Sequence, residues 1–231
     1  MQKIGRFFSL FIMILCSFTT YASNCPEDFV GTDGVVNSRF IESERKELSV
    51  IPQEVVDTIY SNGWKVKITD KNLGAHFYGL SGGIAGVCDP STKTIYLEDR
   101  DSAIRNAGVH ELGHAFDLCC GGRNYHSTCA EFQDIFSAEK SNFRYSTATG
   151  DGHEFSNAME YYASVFEDIC KDEARIKQAL PRTYAFIISD MNKVTKARYM
   201  EEQSSINKSS DSNNISFGPA TIDAKFIKGL K

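Results

Sequence analysis

The sequence predicts an α+β fold, with a small mixed sheet in its first half and a mostly helical second half. Three observations predict it. Trp64-Lys65-Val66-Lys67-Ile68-Thr69 alternates apolar and polar residues, as a half-buried strand does. Lys93-Thr94-Ile95-Tyr96-Leu97 is a second short run rich in β-formers. Beyond residue 100, apolar residues recur at helical spacing in several successive stretches.

The chain opens with Lys3 and Arg6 in its first residues, then an apolar run from Phe7 to Phe18, then Thr20-Tyr21-Ala22. This is the order of a cleavable secretory signal over residues 1–22. The apolar run is too short for a comfortable membrane span. Cys16 raises a lipoprotein reading, but Leu15 before it is large for such a site. Residues 23–45 carry few periodic signals and read as an N-terminal arm. A helix over 48–60 is entered through Pro52, with Val55, Val56, Ile59 and Tyr60 on one face and Asn62-Gly63 as its stop. Residues 79–92 hold Gly79, Gly82, Gly83 and Gly86 without the spacing of a phosphate loop, and read as a mobile surface loop. A helix from about 101 to 119 ends at Gly121-Gly122. Further helices are predicted at about 129–141, 156–171 and 173–192, with Pro181 starting a new turn or a kink. Residues 46–195 form the folded domain in this reading. Residues 196–231, rich in Ser, Asn and Lys, read as a flexible tail.

The formal charge is -5, and no basic tract is long enough for a nucleic-acid or anionic-lipid partner. Of the seven cysteines, Cys25, Cys88, Cys119, Cys120, Cys129 and Cys170 follow the signal. They form no CxxC pair. An even number in an exported chain predicts disulfides, with Cys119 and Cys120 bonding to different partners.

The chemistry is concentrated in His110-Glu111-Leu112-Gly113-His114. On a helix, residues four apart share a face, so both imidazoles reach one ion. Glu111 lies one step round, where it can approach a metal-activated water without ligating the metal. That pattern points to zinc-assisted hydrolysis. The motif follows a short strand, the zincin arrangement in which substrate lies beside the site, here along Lys93–Leu97. A third protein ligand is required. An extended metzincin motif needs glycine at position 117 and histidine at position 120, where this chain has Asp117 and Cys120. The remaining candidates are His126, Glu131, Glu139, His153, Glu154 and Glu160, of which Glu160 sits in a strongly helical stretch.

Over roughly residues 46–192 the chain resembles the anthrax lethal factor family of metallopeptidases, which includes secreted Pro-Pro endopeptidases. The resemblance rests on His110–Asp117, Asn157–Phe166 and Ala179–Ile187. In that family a second helix supplies a glutamate ligand within E-[FY]-[FY]-A, which Glu160-Tyr161-Tyr162-Ala163 fits. The resemblance implies one zinc ion held by His110, His114 and Glu160, with Glu111 as general base. Where the family places an oxyanion-stabilising tyrosine, this chain has His153, so His153 or Tyr145 takes that part. Ser164 stands where relatives often carry an acid that orients a ligand, leaving that work to Asp117, Asn157 or Asp168.

The expected protein is therefore a secreted zinc endopeptidase acting on a protein or peptide substrate. It is expected to be a monomer with no nucleic-acid or membrane partner. Two other readings are a catalytically silent binding module of the same fold and a latent precursor whose residues 23–45 cover the cleft.

Overall fold

The computed structural model describes residues 25–82, 84–143 and 152–212. The expected signal segment lies outside them. Four strands form one mixed sheet: β1 (Val30–Asp33), β2 (Lys65–Thr69), β3 (Gly86–Asp89) and β4 (Thr94–Glu98). Their spatial order is β1-β2-β4-β3. β1 and β4 both run parallel to β2, and β3 closes the sheet antiparallel to β4. The alternation read in β2 sets one face: Val66 and Ile68 are buried, and their register partners Ile95 and Leu97 are buried beside them. On the opposite face Phe77 of α3 (Leu73–Tyr78) packs against Tyr96, ring centroids 5.4 Å apart.

The sheet's buried face lies on α4 (Asp101–Gly121). This helix buries Ala103, Ile104, Ala107, Val109, Leu112, Ala115 and Phe116, so it runs through the core instead of over the surface. It ends at Gly122, whose φ of 75° admits glycine with little strain. On its other sides α4 meets α1 (Arg39–Leu48), α2 (Gln53–Ser61) and α6 (Ala158–Ala179). The crossing with α6 is close because residue 113 is glycine: a Cβ there would lie 2.9 Å from the Cα of Ala163. Phe116 and Phe166 pack across the same crossing, centroids 5.5 Å apart.

The helical half follows the predicted pattern. α5 (Ala130–Glu139) continues into a short 3-10 turn at Lys140–Asn142. α6 breaks at Asp172, whose φ of -153° and ψ of 70° are not helical, so the expected boundary near 172 is a bend. Pro181 opens α7 (Pro181–Ser212), where its missing N–H needs no partner. Glu139, buried at the end of α5, accepts from the backbone N–H of Arg182 and Thr183 and so closes the start of α7.

The predicted arm holds β1 and most of α1, not an unstructured lead. β1 edges the sheet on the side opposite β3, and α1 buries Phe40, Glu44 and Leu48. Val30–Leu48 is thus part of the core and does not cover β3. The glycine-rich loop contains β3, a strand short enough to be masked by its glycines. The predicted tail begins inside α7, because Lys196, Ala197, Met200, Glu201, Glu202 and Gln203 are strong helix formers. The expected disulfides are not formed. All six cysteines are half-buried free thiols distributed over β3, α4, α6 and two connecting segments. Among the described residues no helix is long and apolar enough to cross a membrane.

Candidate metal centre

Two elements build the centre. α4 carries His110 and His114 one turn apart, their rings edge to face with centroids 4.9 Å apart. α6 brings Glu160 to them. Asn157 caps α6, its side chain accepting from the N–H of both Met159 and Glu160, so the helix starts where the carboxylate is needed. Tyr161 and Tyr162, which follow, are fully buried. Tyr161 meets Thr183 at 3.0 Å and Tyr162 donates to Asp190 at 3.2 Å. The two aromatics anchor α6 in the core, and Glu160, on the adjoining face, is left at the cleft.

Nε2 of His110 and Nε2 of His114 each lie 3.2 Å from Oε2 of Glu160. The three ligand atoms all lie within 4.8 Å of one another. Two imidazoles and one carboxylate are a known catalytic zinc set that leaves a position open. A tetrahedron with bonds of about 2.0–2.1 Å has edges of roughly 3.3 Å, so the separations from Glu160 fit one ion. Burial opposes ionisation of Glu160, but contacts with His110, His114 and His153 outweigh it and hold its carboxyl well below the usual range. Ser164 Oγ lies 3.4 Å from Nδ1 of His110, so it meets one of the candidate ligand histidines.

Glu111 is half-buried under β3. Burial pushes its carboxyl up to about 7. His110 opposes the shift, the Glu160 charge adds to it, and the Cys88 backbone N–H and His153 oppose it. Residue 86 permits this placement, since a Cβ there would lie 2.8 Å from Cγ of Glu111 and 3.0 Å from Cβ of Ala107. β4 is paired on both sides, with β2 and β3, so it cannot receive an extended peptide along Lys93–Leu97 as expected. The sheet ends at β3, and β3 is the edge beside Glu111.

The other candidates separate. His153 lies in a 3-10 turn after Gly152, its Nε2 3.0 Å from Oε2 of Glu160, and it remains outside the ligand triad. Tyr145 is outside the described residues. His126 pairs with buried Asp190 at 2.8 Å, Glu139 caps α7, Glu131 is exposed on α5, and Glu154 follows His153 without joining the triad. Asp168 is bound to Arg175. Asp117 is buried, and burial raises its carboxyl to about 6 against hydrogen bonds from Ser127. It accepts from Ser127 N at 2.8 Å and Oγ at 2.5 Å, tying the 125–128 turn to α4. That turn places Tyr125 edge-on to His114, centroids 6.2 Å apart. Burial, then the charges of the site, raise the Tyr125 hydroxyl. Nothing in the sequence pattern marks Tyr125, whereas Gly86 was visible only as one glycine among several.

A family model described as "Anthrax toxin lethal factor, N- and C-terminal domain" matches residues 90–190, which hold all of α4 and α6. No curated protein matches the chain. Among solved structures, the Pro-Pro endopeptidase PPEP-2 from Paenibacillus alvei is similar at a TM-score of 0.54 and 23% identity, over 70% of this chain and 96% of that one. At that identity the likeness shows a common fold. The chain is thus similar in sequence to the lethal factor family over residues 90–190 and similar in fold to a Pro-Pro endopeptidase.

Proposed function

We propose that the chain is a secreted zinc-dependent endopeptidase in which His110, His114 and Glu160 hold one ion and Glu111 is the general base. The observation that carries this reading is the convergence of both histidines on Glu160, with Glu111 held under an edge strand. The basic start, the apolar run and Thr20-Tyr21-Ala22 support export over residues 1–22. The substrate is a protein or peptide, and the enzyme acts as a monomer.

Bound zinc supplies a Lewis acid and lowers the pKa of a coordinated water to about 7. The remaining work belongs to the chain. An extended peptide adds to the outer edge of β3 through main-chain hydrogen bonds. The scissile carbonyl is thereby set beside Glu111. Glu111 takes the proton of the attacking water and passes it to the leaving amine. Of the two expected oxyanion donors, Tyr145 is left to make that hydrogen bond, because His153 is engaged with Glu160.

Glu111→Ala tests this reading. Cleavage of a broad peptide library should disappear while zinc stays bound. Wild-type protein that binds zinc and cleaves nothing in that library would make the chain a non-catalytic binding module instead.

A further inference from the structure

Glu160 is held from two directions. Asn157 fixes its backbone by accepting from its N–H at 3.0 Å. His153 approaches its side chain, Nε2 3.0 Å from Oε2. This is the same oxygen that faces His110 and His114. Yet His153 does not belong to the group whose donor atoms all lie within 4.8 Å of one another. It therefore reaches Oε2 from outside the triad, as a hydrogen-bond donor would, and not from the position of a fourth ligand. A carboxylate oxygen has two lone pairs, so one can face a metal while the other accepts an N–H.

The surroundings suit that part. The His153 side chain is 62% exposed, against 18% for Glu160, so the imidazole forms the solvent-side cover of the ligand. Its turn directly precedes Asn157 and the start of α6, so ligand, cap and cover come from one short stretch. Gly152, with a φ of 74°, turns the chain immediately before it.

We infer that His153 is a positioning residue for the zinc ligand Glu160: its Nε2–H holds Oε2 in the orientation that completes the site. This rests on the zinc reading above and deepens it, by making His153 act through Glu160 and not on the oxyanion. Groups that orient a metal ligand typically change metal affinity by about ten- to a hundredfold when removed.

The test uses the full mature chain with His153→Phe, which removes the donor, and His153→Gln, which keeps an N–H of similar reach. Zinc affinity is measured by competition with a chromophoric chelator, and kcat and KM are measured at saturating zinc. The expected result is zinc affinity about ten- to a hundredfold weaker in H153F, largely restored in H153Q, with a smaller change in kcat once zinc is saturating. Unchanged zinc affinity in H153F, with kcat lost and KM kept, would overturn the inference and give His153 to the oxyanion. A wild type that binds no zinc would overturn the metal reading itself, and is distinguished by appearing before any substitution is made.

Discussion

Glu111 can lie beneath β3 because the residue above it has no side chain. A Cβ at Gly86 would meet Glu111 at 2.8 Å, and Oε1 of the same residue at 3.1 Å. The Cys88 backbone N–H, two residues along the strand, helps hold the carboxylate. Gly86→Val should push Glu111 out of line. A displacement on the order of 1 Å costs roughly a hundredfold in rate. The expectation is a fall of that size in kcat, with zinc affinity unchanged in a chelator titration. A variant with wild-type kcat would show that Gly86 has no part in placing the base. Much of this centre was legible in the sequence: the i, i+4 histidines, the intervening glutamate and Glu160 before two aromatics. Gly86 and Tyr125 were not, because their effect comes from contacts between segments far apart in the chain. The expectation that substrate lies along Lys93–Leu97 fails for the same reason, since that strand is paired on both sides. Periodicity identifies Lys93–Leu97 as a strand but carries no information about which strands flank it.

At the scale of elements, α4 is held by two close approaches, one productive and one costly. Against α6, Gly113 allows the backbone of Ala163 to come near, bringing Glu160 to the histidines. Against α1, Gly108 faces the carboxyl of Glu44, whose Oε1 would be 2.1 Å from a Cβ at that position. Glu44 is fully buried and neither oxygen has a hydrogen-bond partner among the described residues. Burial, then the nearby Glu47, raises its pKa from 4.5 to about 8, against Lys171. The folded state thus binds this proton more tightly than the unfolded state. Stability from this group is fully present below about pH 4.5 and is lost as pH rises through about 8. The slope in that window is about 1.4 kcal/mol per pH unit. Glu44→Gln should remove this dependence, making the variant more stable than the wild type at pH 8 by urea denaturation but not at pH 4.5. Equal pH slopes in the two proteins would show that Glu44 is not buried as a neutral acid. Sequence periodicity carries no sign of this contact, since residues 23–45 show few periodic signals.

Across the whole molecule, the site lies where the sheet and the helical half meet. α4 presents one face to the sheet and another to α6, so Glu111 comes to lie by the edge strand and His110 and His114 by Glu160 of α6. The sequence showed the two halves and their order, including the break near Asp172 and the start at Pro181. It did not show that Val30–Leu48 completes the sheet and the core, because strand β1 is short and gains its stability from pairing with β2. Whether one zinc ion sits at this place is measured most directly by an anomalous difference map at the zinc edge from a crystal of the zinc-loaded chain. The expected map holds a single peak bounded by Nε2 of His110, Nε2 of His114 and Oε2 of Glu160. No peak there, or a peak held by other side chains, would contradict it.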